Sequence, residues 1–189
     1  MNFIIEQSTH QTNTMARSAD AATPEVIAYA VGESTLGKVL VARSAEGVCA
    51  ILMGSQVEEL MSDLASLFPN SDVVRNDRRL NGDLEKALRF IETPAEGLDL
   101  PLAIQGTPFQ RRVWDVVLKV PAGAVITYGA LAARIGEPKA VRAVANACAA
   151  NAIALAIPCH RVIRKDGTFS GYRWGEERKR ALIAREALL

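Results

Sequence analysis

Cysteine and histidine are scarce in this chain, and their spacing excludes several classes of protein. Cys49, Cys148 and Cys159 are an odd number at wide intervals, which argues against a disulfide framework and fits a reducing compartment. Together with His10 and His160 they form no CxxC or HxxxH pair. Any metal ligands would have to converge from distant segments, so the sequence predicts no metal site.

Long apolar runs are also lacking. No stretch of about 18 apolar residues occurs, and the amino terminus has neither the basic start nor the cleavage site of a secretory signal. We therefore expect a cytoplasmic protein with no membrane partner. The 189 residues, 49% of them hydrophobic, are enough for one large domain or two small ones.

The two parts of the chain carry opposite charge, although the formal net charge is only +1. Residues 106–189 hold 14 Lys and Arg against six Asp and Glu, a net of +8, whereas residues 1–105 have a net of −7. Basic side chains gain affinity for phosphates by displacing counterions, so the second part predicts a polyanionic partner. A solvated basic surface is the alternative.

Hydrophobic periodicity predicts an α+β protein of two units that follow a loose leader over residues 1–25. In the first unit, residues 26–105, "VIAYAV", "KVLVARS" and "GVCAILMG" predict a small three-stranded antiparallel sheet, and two helical patterns follow. A segment with two prolines and two glycines leads to the second unit, residues 106–189, which is mainly helical.

The second unit contains a helix-turn-helix pattern and a carboxyl-terminal helix. Thr107 and Pro108 begin a first helix, and "TYGALAARIGEPKAVRAVANACAAN" then joins two short helical patterns through a Gly-Glu-Pro turn. The last helix is expected to face inward with Leu182, Ile183 and Leu189, and outward with its Arg and Lys residues.

The second helix of the helix-turn-helix pattern, residues 139–149, has an unusual composition. It is mostly Ala and Val, with Arg142 as the long side chain in its middle. Short side chains allow close backbone approach to nucleic acid, and a single Arg can enter the groove or the base stack without reading a sequence. An alanine-rich packing helix inside the core is the alternative.

The segment "IPCHRVI" raises the question of whether Cys159 is reactive. A thiol among apolar residues is by default inert, but His160 and Arg161 supply a base and a positive charge within two positions. Adjacent residues in an extended segment point to opposite sides, so His160 requires a bridging water or a turn to act on its neighbour. Glu186 and Asp166 are the candidate carboxylates for orienting the imidazole.

Four motifs in this chain resemble one family. "PCHRV" at 158–162, "YGALA" at 128–132, "PKAVRAVANACAAN" at 138–151 and "GYRWG" at 171–175 are similar to the 6-O-alkylguanine-DNA alkyltransferases, also called methylated-DNA–protein-cysteine methyltransferases. The likeness extends from about residue 26 to the end, and it is greatest to the carboxyl-terminal domain of bacterial Ada-type proteins.

The resemblance implies a role for each matching residue. Cys159 is expected to accept the alkyl group, with His160 as its base through water and Glu186 orienting the imidazole. Tyr128 is expected to donate to a ring nitrogen of the leaving guanine, and Arg142 to occupy the gap left by the extruded nucleotide.

Further residues have supporting roles by the same resemblance. Asn151 is expected to hold the turn between the second helix of the helix-turn-helix and the cysteine loop. The expected substrate-pocket residues are Cys148, Val162, Tyr172 and Arg173, and the expected DNA contacts besides Arg142 are Lys139, Ala140, Ala143 and Ala147.

The resemblance also implies the reaction. We expect a monomer that binds the minor groove of double-stranded DNA, extrudes an alkylated guanine and takes its alkyl group irreversibly in one turnover without a cofactor. The 4-oxygen of alkylated thymine is a second candidate site. The alternatives are a non-repairing alkyltransferase-like damage sensor or helix-turn-helix DNA-binding protein, and a cysteine hydrolase or redox protein.

Overall fold

The computed structural model describes residues 24–169 and 171–189, and it confirms the α+β fold class. The predicted leader up to residue 23, and Ser170 of the "SGYRWG" segment, lie outside the described residues. The first unit begins with three antiparallel strands, β1 (Val26–Ser34), β2 (Gly37–Arg43) and β3 (Val48–Gly54), as the sequence predicts.

A fourth strand, β4 (Asp72–Arg75), pairs parallel to β1 and gives the sheet order β3-β2-β1-β4. The prediction of a three-stranded, purely antiparallel sheet missed this strand. β4 has four residues, of which only Val73 is half-buried, so it lacks the alternation by which a strand is recognised. Its position at the sheet edge explains why a polar segment forms a strand there.

Two helices complete the first unit, α1 (Val57–Leu67) and α2 (Asp77–Glu92). α2 begins five residues before the apolar pattern predicts. The side chain of Asn76 caps it by accepting a hydrogen bond of 3.1 Å from the backbone N–H of Arg79. Leu80, Leu84 and Ile91 of this helix enter the core.

Among its described residues, the second unit has four α-helices and a short parallel ladder. Thr107 and Gln110 form a reciprocal capping box at the start of the first helix, which confirms the predicted cap. The elements are α3 (Pro108–Val117), β5 (Ile126–Thr127), α4 (Tyr128–Arg134), α5 (Val141–Ala149), β6 (Val162–Ile163) and α6 (Glu176–Glu186). Helices α4 and α5 are the predicted helix-turn-helix, and β5 pairs with β6.

The inward face of α6 differs from the prediction. Leu182 is buried and Ile183 is half-buried, but Leu189 is 60% exposed because the helix ends at Glu186 and its periodicity does not continue. Lys179 is fully buried, although the basic residues of this helix were expected to face solvent. Lys179, Leu182 and Glu186 have the spacing of a single helix face.

Strand β3 joins the first unit to the segment that precedes Cys159. The N–H of Ile51 donates to the carbonyl of Ala152, and the N–H of Ala154 donates to the carbonyl of Ile51, both at 2.9 Å. Buried residues of both units belong to one hydrophobic cluster. The division at residues 105 and 106 stays a prediction. Within residues 24–169 and 171–189, no helix is long and apolar enough to cross a membrane.

Candidate active site and DNA-contact helix

Cys159 begins a single 3-10 turn, residues 159–161, between Pro158 and strand β6. Its side chain is 3% exposed, so the apolar neighbours that suggested an inert thiol do bury it. The turn also differs from the extended segment considered above, in which Cys159 and His160 would point to opposite sides. In a turn, consecutive side chains are not forced to opposite sides, so the turn geometry allows His160 to lie on the same side as Cys159.

Asn151 connects the end of α5 to the cysteine turn. Its amide nitrogen donates to the carbonyl of Ile157 at 2.9 Å and to Cys159 Sγ at 3.4 Å, and its oxygen accepts from the N–H of Ile153 at 2.8 Å. Asn151 therefore lies where the family resemblance implies, between α5 and the cysteine turn. Its direct hydrogen bond to the thiol was not predicted.

The surroundings of Cys159 favour a neutral thiol. A hydrogen bond with the Cys148 side chain and burial raise the pKa of Cys159 well above its ordinary value, while Asn151 and the charge of Lys179 oppose this rise. Cys148 is itself buried on α5. A thiol held neutral at physiological pH needs a base to become a nucleophile.

His160 is completely buried and is oriented by Glu186. Its Nε2 lies 2.9 Å from Oε1 of Glu186, and its Nδ1 has no hydrogen-bond partner within the described residues. Burial lowers the pKa of His160, and the hydrogen bond to Glu186 only partly restores it. An ionised carboxylate only accepts, so Nε2 carries the proton and Nδ1 has a free lone pair.

Arg161, which the sequence offered only as a positive charge near Cys159, binds the same carboxylate. Its Nε donates to Oε2 of Glu186 at 2.9 Å and its Nη2 donates to Oε1 at 2.8 Å, while Nη1 donates to the carbonyl of Val120 at 2.5 Å. Burial opposes ionisation of Glu186, but the hydrogen bonds from His160 and Arg161 outweigh it and lower the pKa of Glu186 to about 2.

The structure distinguishes the two carboxylates that the sequence left open. Asp166 is exposed and accepts from the backbone and hydroxyl of Thr168 within its own turn. Glu186 alone of the two contacts His160. The basic partner that stabilises Glu186 is only two residues after Cys159, a signal that the sequence contained.

Two tyrosines and a buried lysine lie beside the thiols. Lys179 Nζ is 5.8 Å from the ring centroid of Tyr128 and 5.8 Å from that of Tyr172, and it donates to the carbonyl of Val162. Burial lowers the pKa of Lys179 to about 8. Burial and the neighbouring Cys159 raise the pKa of Tyr172, and burial raises that of Tyr128 to about 12. Both phenols are therefore protonated donors at neutral pH.

Arg173 was predicted to line the substrate pocket, but its guanidinium has other partners. Its Nη2 lies 3.6 Å from Oδ2 of Asp63 on α1, and its Cζ stacks 4.7 Å from the ring centroid of Trp174. The charged end is thus directed to the first unit. The backbone of Arg173 lies in the same loop as Tyr172, before α6.

Helix α5 has one exposed face, which nucleic-acid contact would require, and one buried face, which packs in the core. Arg142 and Ala143 are exposed on the helix, Lys139 is exposed just before it, and Ala140 is half-buried at its cap. Ala147 is 2% exposed, and its carbonyl accepts from Nε1 of Trp114. Ala147 therefore does not belong to the DNA-contact set as predicted, because it packs inward with Cys148.

Known sequences match this chain over most of its length. A family model described as the DNA-binding domain of 6-O-methylguanine DNA methyltransferase matches residues 108–188. The bifunctional transcriptional activator/DNA repair enzyme Ada of Escherichia coli K12 is 47% identical over 161 residues, which are 85% of this chain and 46% of Ada. The chain thus spans about half the length of that relative. An inducible methylated-DNA–protein-cysteine methyltransferase of Bacillus subtilis is 36% identical over 136 residues, 70% of this chain and 76% of that protein.

Solved structures agree with these matches. A single-residue variant of the Mycobacterium tuberculosis O6-methylguanine methyltransferase has a TM-score of 0.71 at 30% identity, covering 85% of this chain and 93% of that one. The Mycobacterium tuberculosis OGT in complex with DNA has a TM-score of 0.69 at 31% identity with the same coverage.

Proposed function

This chain belongs to the methylated-DNA–protein-cysteine methyltransferase family, and on that premise we propose that it repairs DNA by moving an alkyl group from the 6-oxygen of guanine to Cys159. The observation that carries the proposal is the chain of contacts around the thiol. Asn151 donates a hydrogen bond to Sγ of Cys159. The next residue, His160, has its Nε2 fixed by Glu186, and its Nδ1 has no hydrogen-bond partner within the described residues.

The reaction is an in-line displacement at the alkyl carbon. The proton of Cys159 passes through a water to Nδ1 of His160, the sulfur–carbon bond forms, and the carbon–oxygen bond breaks with its electron pair going to the guanine. The Tyr128 hydroxyl donates to a ring nitrogen of the guanine as negative charge develops there. A neutral His160 and a protonated Tyr128 are the forms that this mechanism requires, and the directions of their pKa shifts favour both.

Duplex DNA is the proposed partner, bound through the minor groove at the exposed face of α5. Ala143 allows the backbone of the helix to approach the groove, Lys139 neutralises phosphate, and Arg142 occupies the space left by the extruded nucleotide. Extrusion is required because a stacked, paired base shields its alkyl group from a buried thiol. Residues 106–189, with a net charge of +8, supply the electrostatic attraction.

The product is a thioether with no good leaving group, so each protein molecule reacts once. The transferred group comes from the DNA, and the reaction needs no cofactor. We propose that the protein acts as a monomer in the cytoplasm, with the 4-oxygen of alkylated thymine as a second substrate position.

Turnover number tests this proposal against its competitors. The protein is incubated with an excess of duplex containing methylated guanine, and the methyl groups transferred per chain are counted. We expect the count to stop at one. A non-catalytic damage sensor predicts binding with no transfer, and a cysteine hydrolase or redox protein predicts repeated turnover of an ester or a peroxide.

A further inference from the structure

Arg178 binds three separate segments of the chain. Its Nε donates to the carbonyl of Leu36 in the turn after β1 at 2.7 Å, and its Nη2 donates to the hydroxyl of Ser55 after β3 at 3.1 Å. Its Nη1 donates to the carbonyl of Trp174 at 2.9 Å. One guanidinium on α6 therefore connects the first unit to the loop that carries Tyr172 and Trp174.

The backbone around Gly37 is shaped to receive this side chain. Gly37 has a φ of 102°, a conformation that other residues rarely adopt. A Cβ at this position would lie 3.0 Å from Arg178 Nη2 and 2.6 Å from the carbonyl oxygen of Gly54. A glycine in the β1–β2 turn thus gives the guanidinium room against the sheet.

Apolar packing between the loop and the first unit is incomplete. A cleft of about 300 Å³ separates them, with Ser55, Glu59 and Asp63 on one side and Arg173 and Trp174 on the other. The loop is held by the buried ring of Trp174 and by polar links that cross this cleft, which are the Arg178 hydrogen bonds and the longer Arg173–Asp63 ion pair.

The loop in turn places a side chain at the reacting centre. A hydrogen bond of 3.1 Å from the N–H of Gly175 to the carbonyl of Tyr172 closes the loop just before α6. The centroid of the Tyr172 ring lies 5.8 Å from Lys179 Nζ, as does that of Tyr128, and Tyr172 is close enough to Cys159 for the thiol to raise its pKa. A displaced loop would move one wall of this cluster.

We propose that Arg178 is a positioning residue for alkyl transfer, through which the first unit fixes the Tyr172 loop against the Cys159 site. This rests on the proposed function. It gives the first unit, which contains none of the predicted catalytic residues, a part in the reaction.

The test compares Arg178→Ala with Arg185→Ala. Arg185 lies on the same helix and also binds the first unit, through the carbonyl of Ile91 at 2.6 Å and the hydroxyl of Thr35 at 2.7 Å, but its hydrogen bonds do not reach the loop. Both variants lose links between α6 and the first unit, so a general loss of stability affects both.

We expect Arg178→Ala to lower the rate of transfer at saturating methylated duplex roughly tenfold, as for a misplaced reacting group. The duplex concentration at half saturation should stay at the wild-type value, since the exposed face of α5 is untouched. Arg185→Ala should match the wild type in both quantities. Equal rates in the two alanine variants would overturn the proposal.

Fluorescence of Trp174 gives a second readout that does not depend on transfer. In a Trp114→Phe background, Arg178→Ala should shift the emission of the buried Trp174 to longer wavelength and Arg185→Ala should not. Identical emission in both contradicts the inference.

Arg178→Lys is the fallback if Arg178→Ala fails to fold. A lysine reaches one acceptor at a time, so this variant should show a transfer rate and an emission shift between those of the wild type and those expected for Arg178→Ala. A wild-type rate and a wild-type emission in Arg178→Lys contradict the proposal. A wild type that accepts no methyl group overturns the proposed function, while the emission still reports on the loop.

Discussion

Replacing Glu186 with Gln removes the charge at the centre of the buried network beside Cys159. Glu186 accepts three hydrogen bonds, one from His160 and two from Arg161. The lowering of its pKa from 4.5 to about 2 corresponds to roughly 3 kcal/mol of folding free energy. The same loss seen from its partner leaves the Arg161 guanidinium buried without a counter-charge, which costs about 3–5 kcal/mol in comparable cases and is not an additional cost. We therefore expect Glu186→Gln to lower the free energy of unfolding by roughly 3–4 kcal/mol at pH 7.

Urea unfolding of Glu186→Gln and of Glu177→Gln measures this effect. Glu177 is exposed on the same helix, so its substitution should change the free energy of unfolding by less than about 0.5 kcal/mol. The pKa of Glu186 is lower in the folded chain than in the unfolded chain. Its stabilisation is therefore complete above about pH 4.5 and is lost as the pH falls toward 2. The wild type should lose this stabilisation over that range, whereas Glu186→Gln should lack this part of the pH dependence.

The same substitution should slow transfer. A Gln amide can donate to His160 Nε2 and so favour the tautomer whose Nδ1 carries the proton, which removes the proposed base. We expect a rate reduction on the order of 10²-fold. A variant that unfolds like Glu177→Gln and transfers at the wild-type rate would show that the buried carboxylate neither stabilises the fold nor orients the base.

Four further predictions address other parts of the site. Cys159→Ala should abolish transfer and retain duplex binding in a gel-shift assay, since α5 is unchanged; lost binding would mean that the cysteine turn shapes the DNA surface. Arg142→Ala should slow transfer from duplex DNA far more than from the free alkylguanine base, and equal losses would remove Arg142 from extrusion. Asn151→Ala should cost roughly 3 kcal/mol in urea unfolding, because the carbonyl of Ile157 and the N–H of Ile153 lose buried partners. Burial lowers the pKa of His160 below its ordinary value of 6.5, so His160 should stay neutral down to that pH. The transfer rate should therefore decline only at pH values below 6.5. A decline centred above pH 6.5 would contradict a neutral buried base.

Features that depend on a few consecutive residues were predictable. The Thr107 cap and the two helices of the helix-turn-helix follow from local residue types and spacing, whereas the role of Asn151 at its turn was implied by the family resemblance. Glu186 could be proposed because it lies on the predicted inner face of α6. Its contact with His160 was open until the structure excluded Asp166.

Features that depend on distant partners were not predictable. The ion-pair partner of Arg173 is Asp63, which is 110 positions earlier in the chain. The short strand β4 is recognisable only once β1 is beside it. The buried Lys179 is a different case, since its spacing to Leu182 and Glu186 indicates the inner face, but lysine was assigned to solvent because its desolvation is costly.

Whether Cys159 accepts the alkyl group can be decided by intact mass spectrometry followed by peptide mapping. After incubation with duplex containing methylated guanine, we expect the protein to gain the mass of one methyl group and this group to be found on the peptide containing Cys159. An unchanged mass, or a methyl group found on Cys148 or Cys49 instead, would contradict the assignment of Cys159 as the acceptor.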